Sequence, residues 1–248
     1  MTAWIARLFA IAAMAVVLAA SPSLTPPAQA ADQAEVEAAV RKLLTEKPEI
    51  VIDAIRAYQA REEAAQEEEQ RLQLSAQKGA IMGNPGDPVI GNPDGAVTVV
   101  EFFDYRCGYC KRSLQTVLDL VERNPDVRVV FKEFPILGED SVTAAKVSLA
   151  VHLAAPQHYR AFHEKAMRHR GAMSEDALLT LAVDAGADRD AVAAAMDNPI
   201  IQATITANYE LAQALGIRGT PAFVVGEKVV PGAVNLPTLE QLVAKERG

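Results

Sequence analysis

Cysteine is almost absent. Cys107 and Cys110 are the only two in 248 residues, and they stand together in Cys107-Gly108-Tyr109-Cys110. With no second cysteine pair and no His-x3-His, half of a four-ligand zinc site is missing. A structural staple across so short a loop would gain little stability. Redox work is therefore the favoured reading over a staple or a metal site. Aromatics are few at 5%, there is a single Trp, and no internal repeat stands out, so a repeat architecture is not indicated. Basic residues are outnumbered, 24 against 32 acids, for a formal net charge of −8. That balance argues against nucleic acid or an anionic membrane as partner. Half of the chain is apolar, ample for a core.

Long apolar runs are missing too. The longest, Leu8 to Ala20, falls short of the ~20 residues that span a bilayer. Arg7 precedes it, and Ser/Pro-rich sequence and Ala28-Gln29-Ala30 follow, the three regions of a secretory signal peptide. No twin arginine and no cysteine accompany them, so the general secretory route and a mature form without a lipid anchor are expected. The expectation is a periplasmic protein whose signal peptide is residues 1–30. In an oxidising compartment, a chain with no other cysteine does not use disulfides to hold itself together. The pair is there to react.

Residues 31–82 read as a helical arm. Val36, Val40, Leu43 and Leu44 form one apolar stripe, ended by Pro48, which disfavours helix at Lys47. A second helix can start at Pro48 and run for about 30 residues, or ~45 Å. Its first half carries Ile50, Val51, Ile55 and Tyr58, whereas Arg61 to Arg71 is almost wholly polar. The 4-3 spacing is too irregular for a coiled coil. An extended arm that self-associates is favoured over two helices packed on the main domain. Gly83-Asn84-Pro85-Gly86 and Gly91-Asn92-Pro93-Asp94-Gly95 mark turns and a domain boundary near residue 83.

Residues 83–248 alternate strand and helix. Val97 to Phe103, the CGYC helix and Val127 to Phe134 form a parallel βαβ pattern. A helical insert follows, at about 139–215, then Gly219-Thr220-Pro221, a hairpin around Gly226-Glu227 and a last helix from Thr238. At the start of its helix Cys107 meets unpaired N–H groups and the helix dipole, and Arg106, Lys111 and Arg112 add positive charge. Such surroundings lower a cysteine pKa from ~8.5 to ~3.5–7.5.

This order of CxxC helix, insert, Thr-Pro, hairpin and final helix resembles the thioredoxin fold in its disulfide-bond-protein A version, over roughly Asp87 to Gly248. The stretch Leu43 to Ile55 looks like the arm of the suppressor-of-copper-sensitivity protein C group. The resemblance implies an α/β, thioredoxin-like domain preceded by an oligomerisation arm, trimer favoured. It implies an exported thiol-disulfide oxidoreductase acting on misfolded or oxidised exported proteins and served by a membrane redox partner, with no cofactor. Cys107 matches the exposed attacking cysteine and Cys110 the buried resolving one. Glu101 matches a buried acid that exchanges protons with Cys110; a solvated glutamate on a sheet edge is the alternative. Pro221 matches a cis proline facing the cysteines, and Thr220 would offer backbone groups to substrate. Gly108 and Tyr109 replace the Pro-His of the strongly oxidising members, and Tyr109 supplies no cation. Isomerase or reductase is therefore favoured over primary oxidase.

Rival readings use the same residues. Soft thiolates bind Cu(I), so a copper-binding protein, and with it a role in copper tolerance, is the alternative of another class; a holding chaperone is a third. His152, His158, His163 and His169 all fall in the insert. His152 and His163, like His158 and His169, are eleven apart, about three turns, so neither pair can chelate one ion from a single helix, and surface or capping positions are expected for the four.

Overall fold

The computed structural model describes residues 32–248; the signal peptide expected at residues 1–30 lies outside them. Contacts divide the chain into two units, separated between Tyr58 and Gln59. In the first, α1 (Gln33–Glu46) is capped by Asp32, whose carboxylate accepts from the Ala34 N–H at 3.3 Å. No residue of α1 is buried, and the large apolar residues of this unit are exposed, from Val36 and Val40 to Ile55 and Tyr58. The helix α2 (Glu49–Ala76) has 28 residues and contains the division between the units.

The second unit holds a five-stranded sheet in the order β1 (Val89–Gly91), β3 (Val127–Glu133), β2 (Val97–Phe103), β4 (Ala222–Val225), β5 (Lys228–Pro231). Its central strand β2 (Val97–Phe103) is buried at every position. It pairs in parallel with β3 (Val127–Glu133) and antiparallel with β4 (Ala222–Val225). Burial on both faces explains the near-continuous apolar run of β2. Between β2 and β3 runs α4 (Gly108–Arg123). Then come α5 (Glu139–Ala154), α6 (Tyr159–Arg168), α7 (Glu175–Asp184), α8 (Arg189–Ala195) and α9 (Pro199–Ala214), the expected helical insert. The hairpin of β4 and β5 (Lys228–Pro231) turns at Gly226, whose φ of +55° suits glycine. The helix α10 (Leu236–Glu246) closes the unit.

Alternation along the strands makes two cores. Val99, Phe103, Val129, Phe131 and Phe223 face α4, the insert and α10. Val100, Phe102, Val130 and Val224 face α9 and, from the expected arm, Leu74 and Ile81. Leu74 lies in the last turn of α2, and Ile81 lies in α3 (Lys78–Met82). The boundary expected near residue 83 therefore moves: residues from Gln59 onward belong to the sheet-bearing unit. Beneath this second face Lys132, 1% exposed, donates to Ala80 O at 2.8 Å and pairs with the buried Asp87. A short strand, β1 (Val89–Gly91), pairs antiparallel with β3 between the two turn clusters.

Candidate active site

After β2 the chain makes one turn, and Cys107 becomes the N-cap of α4 with extended backbone (φ −71°, ψ 115°). Its sulfur accepts from the Cys110 N–H at 3.4 Å, as a capping side chain should. It also donates to Thr220 O, 3.2 Å away, and the Thr220–Pro221 bond is cis. Both cysteines are free thiols. Cys107 is 7% exposed and Cys110 0%. The expected exposed attacking cysteine is thus mostly covered by its own cap and by Thr220, although it is the more open of the two.

The hydrogen bond from the Cys110 thiol does most to draw the Cys107 thiol down, to about 5, and Thr220 and the amides of Cys110 and Tyr109 help. Burial pulls the other way. The basic neighbours are not the cause. Arg106 donates to Leu137 O at 2.9 Å and Lys111 to His169 O at 2.6 Å, while Arg112 lies 4.1 Å over the Tyr109 ring. Their charged ends are engaged around the cysteine turn rather than on the sulfur. Burial, followed by the Cys107 hydrogen bond and the Glu101 charge, drives the Cys110 thiol far above its ordinary range.

Glu101 sits on the middle strand, in register with Phe131 on one side and Phe223 on the other. It is 2% exposed, which excludes the solvated sheet edge. Burial first, and the Cys107 charge second, push its carboxyl up to about 8. Its Oε1 has no hydrogen-bond partner among the described residues. At pH 7 the group is therefore mainly a neutral acid with a proton to exchange.

The structure brings Cys107, Cys110 and Thr220 into one hydrogen-bonded set, with Glu101 in electrostatic reach of both sulfurs. Pro221 is buried behind Thr220. Gly108 is exposed, and Tyr109, 61% exposed, stands outward under Arg112. Two supports escaped the sequence reading. Asp104, 1% exposed, accepts from Arg106 N at 2.7 Å, Ser141 Oγ at 2.9 Å and Leu137 N at 3.1 Å. An Asp two residues before a turn amide is the signal that could have revealed it. Tyr105 shares hydrogen bonds with Ser148 at 2.8 Å and with Nδ1 of His163 at 2.9 Å. His163 is accordingly not a surface residue. It is 1% exposed, packed on Phe131 at 4.3 Å, and burial draws its pKa down to about 3. Among the described residues, no three His, Cys, Asp or Glu side chains are grouped to hold a metal ion.

An activated thiol hydrogen-bonded to a second, buried thiol is an arrangement suited to disulfide exchange. The family model "DSBA-like thioredoxin domain" matches residues 98–244. Disulfide bond formation protein D of Bacillus subtilis is 26% identical over 184 residues, covering 67% of this chain and 81% of that protein. The solved structure of a thioredoxin-like oxidoreductase from Silicibacter pomeroyi is 42% identical with a TM-score of 0.65, covering 68% of this chain and 96% of that one. ScsC of Proteus mirabilis, solved in a transitional conformation, is 31% identical with a TM-score of 0.65 and covers 86% of this chain and 95% of its own. The chain belongs to the DsbA-like thioredoxin family.

Proposed function

We propose that this thiol-disulfide oxidoreductase of the DsbA type is an exported protein disulfide isomerase or reductase, with Cys107 as nucleophile. The single observation that carries the reading is the position of the Cys107 sulfur. It is activated to about 5 at the cap of α4 and lies 3.2 Å from Thr220 O, beside the cis Pro221. A substrate strand laid along Thr220 would present its disulfide to that sulfur. The Cys107 thiolate attacks one substrate sulfur, a mixed disulfide forms, and the other substrate sulfur leaves as a thiolate. Cys110 then attacks Cys107, releasing reduced substrate and closing the 107–110 disulfide. For that step Cys110 must lose its proton. Glu101 is the acid in electrostatic reach, and its ionised form would accept it. Without the second step, the released substrate thiolate attacks another substrate disulfide, and the thiolate this frees attacks the mixed disulfide, releasing Cys107 as a thiolate and leaving the substrate isomerised.

Gly108 and Tyr109 favour isomerase or reductase over oxidase. Hydrogen bonds, and no charged side chain, lower the Cys107 thiol, so the thiolate depends on those hydrogen bonds. The proposed setting is the periplasm, behind the leader at residues 1–30, with a membrane redox partner keeping the pair in its working state. Among the described residues no helix is long and apolar enough to cross a membrane.

Trapping the thiols in cells with an alkylating mass tag tests the direction. Mostly reduced Cys107 and Cys110, with rescue of a scrambled disulfide protein in vitro, is the expected result. A mainly oxidised pair would make the chain an oxidase. Retention of stoichiometric Cu(I) against a chelator, with no exchange activity, would make it a metal carrier.

A further inference from the structure

Around the cysteines the charge balance of the molecule reverses. Overall, acids outnumber bases. At this face five cations come from four segments. Arg106 precedes Cys107 and is about half exposed. Lys111 and Arg112 lie in the first turns of α4, and Arg112 is held over the exposed Tyr109 ring. Arg170 follows α6, on the segment whose His169 carbonyl binds Lys111 Nζ at 2.6 Å, and its charge and that of Arg106 both bear on Lys111. Arg218, exposed, stands two residues before Thr220, whose carbonyl touches the Cys107 sulfur. The acids near them are Glu139 and Asp140, which open α5, with Asp140 3.9 Å from Arg106, and the buried Asp104 and Glu101, the latter mainly neutral at pH 7.

These cations have little to do with the nucleophile, which takes its stabilisation from hydrogen bonds. Arg106 meets Asp140 at 3.9 Å as well as the Leu137 carbonyl, whereas Lys111 is held by the His169 carbonyl and Arg112 by the Tyr109 ring face. Neutral partners hold a cation in place without cancelling its charge. Cations gathered about a reactive sulfur raise the local concentration of anionic segments and speed their encounter.

We infer that this face selects substrate disulfides flanked by acidic residues, recognising an acidic peptide segment on either side of the cysteine that Cys107 attacks. The inference rests on the exchange function proposed above for Cys107. The covalent step is unchanged: the Cys107–substrate S–S bond forms as the substrate S–S bond breaks, and the leaving sulfur carries off the electron pair.

Three peptide disulfides of one length, flanked by Glu, by Gln and by Lys, test it in a stopped-flow exchange assay with the full chain. The acidic peptide should exceed the Gln peptide in kcat/KM by about tenfold in 50 mM salt. That ratio should approach one at 1 M salt, where the Debye length is only ~3 Å. Arg170→Glu should lower the ratio and Arg170→Lys should keep it. Since Arg170 is exposed, circular dichroism suffices to show that both variants fold. Equal rates for the three peptides, or a ratio untouched by salt and by Arg170→Glu, would overturn the inference. Cys107→Ala separates the two claims: if it retains exchange, the assignment of the nucleophile fails. If it is dead while the three wild-type rates are equal, charge selection alone fails.

Discussion

Glu101 shows how a single residue can be set against the fold that holds it. Its carboxyl is raised from an ordinary 4.5 to about 8 because the middle strand buries it. Between those two values the unfolded chain is ionised and the folded chain is not, so the unfolded state binds fewer protons. Stability then falls as pH rises from about 4.5 to 8. Each pKa unit corresponds to ~1.4 kcal/mol, so the loss is of the order of 4 kcal/mol by pH 8. Glu101→Gln should remove that slope, giving a protein more stable than wild type at pH 8 and little changed near pH 4. Its reduction of substrate disulfides through Cys107 and Cys110 should slow because the proton acceptor is gone. Urea melts at several pH values are the check. A wild-type stability curve flat across this window would show that Glu101 is not held neutral. The sequence carried the residue and its strand, since an acid inside Val97 to Phe103 stands out. It could not carry the source of the Cys107 shift. Basic residues adjacent in the chain suggest through-space stabilisation, but side-chain direction decides where charge goes, and Arg106, Lys111 and Arg112 have other partners.

At the scale of elements, the strands and helices that follow a strict period were legible, and those that depend on tertiary pairing were not. The apolar runs of β2 and β3 and the capped starts of α7 and α9, at Ser174 and Asn198, are local signals. β1 has only Val89, Ile90 and Gly91, and it exists because β3 offers an edge to pair with. His163 is similar: helix spacing sets it beside Phe162 and Ala166, but only Tyr105, arriving from the cysteine turn, gives it a reason to be inside. The same kind of long-range tie joins α3 to the sheet. Lys132, on β3, donates to Ala80 O and pairs with Asp87, and both ends are almost fully buried. Burial raises the Asp87 carboxyl, and the Lys132 ammonium opposes that rise. Lys132→Met should therefore destabilise the protein by about 3–5 kcal/mol, because it leaves an unpaired carboxylate in the interior. The deficit should shrink as pH falls and Asp87 becomes neutral. Adding Asp87→Leu to Lys132→Met should recover much of the loss. A Lys132→Met protein that melts with wild-type Tm would mean that water, not Lys132, solvates Asp87.

For the molecule as a whole, the division at Tyr58 and Gln59 changes what the arm can be. Leu74 and Ile81, at 3% and 5% exposure, are core residues of the sheet-bearing unit, so a cut near residue 80 would damage the enzyme it was meant to isolate. The part with an unmet need is residues 32–58. There Val36, Val40, Leu43, Ile55 and Tyr58 are 47% to 58% exposed, and apolar surface on that scale rarely stays bare in a soluble protein. A second and third copy of the same stripe could cover it, and the resemblance of Leu43 to Ile55 to the suppressor-of-copper-sensitivity group favours three. Gathering several Cys107 sites on one particle would let a misfolded substrate meet a second site without diffusing away, which raises effective concentration. Light scattering at micromolar concentration should accordingly find the chain oligomeric, and a deletion of residues 31–58 should be monomeric. The shortened protein should still reduce a small peptide disulfide at close to the full rate, since the Cys107, Cys110 and Glu101 cluster is untouched. On scrambled protein it should lose most of its isomerase activity. A full-length chain that scatters as a monomer, or a deletion that isomerises as well as the intact chain, would separate the arm from the chemistry and leave its exposed stripe to some other partner.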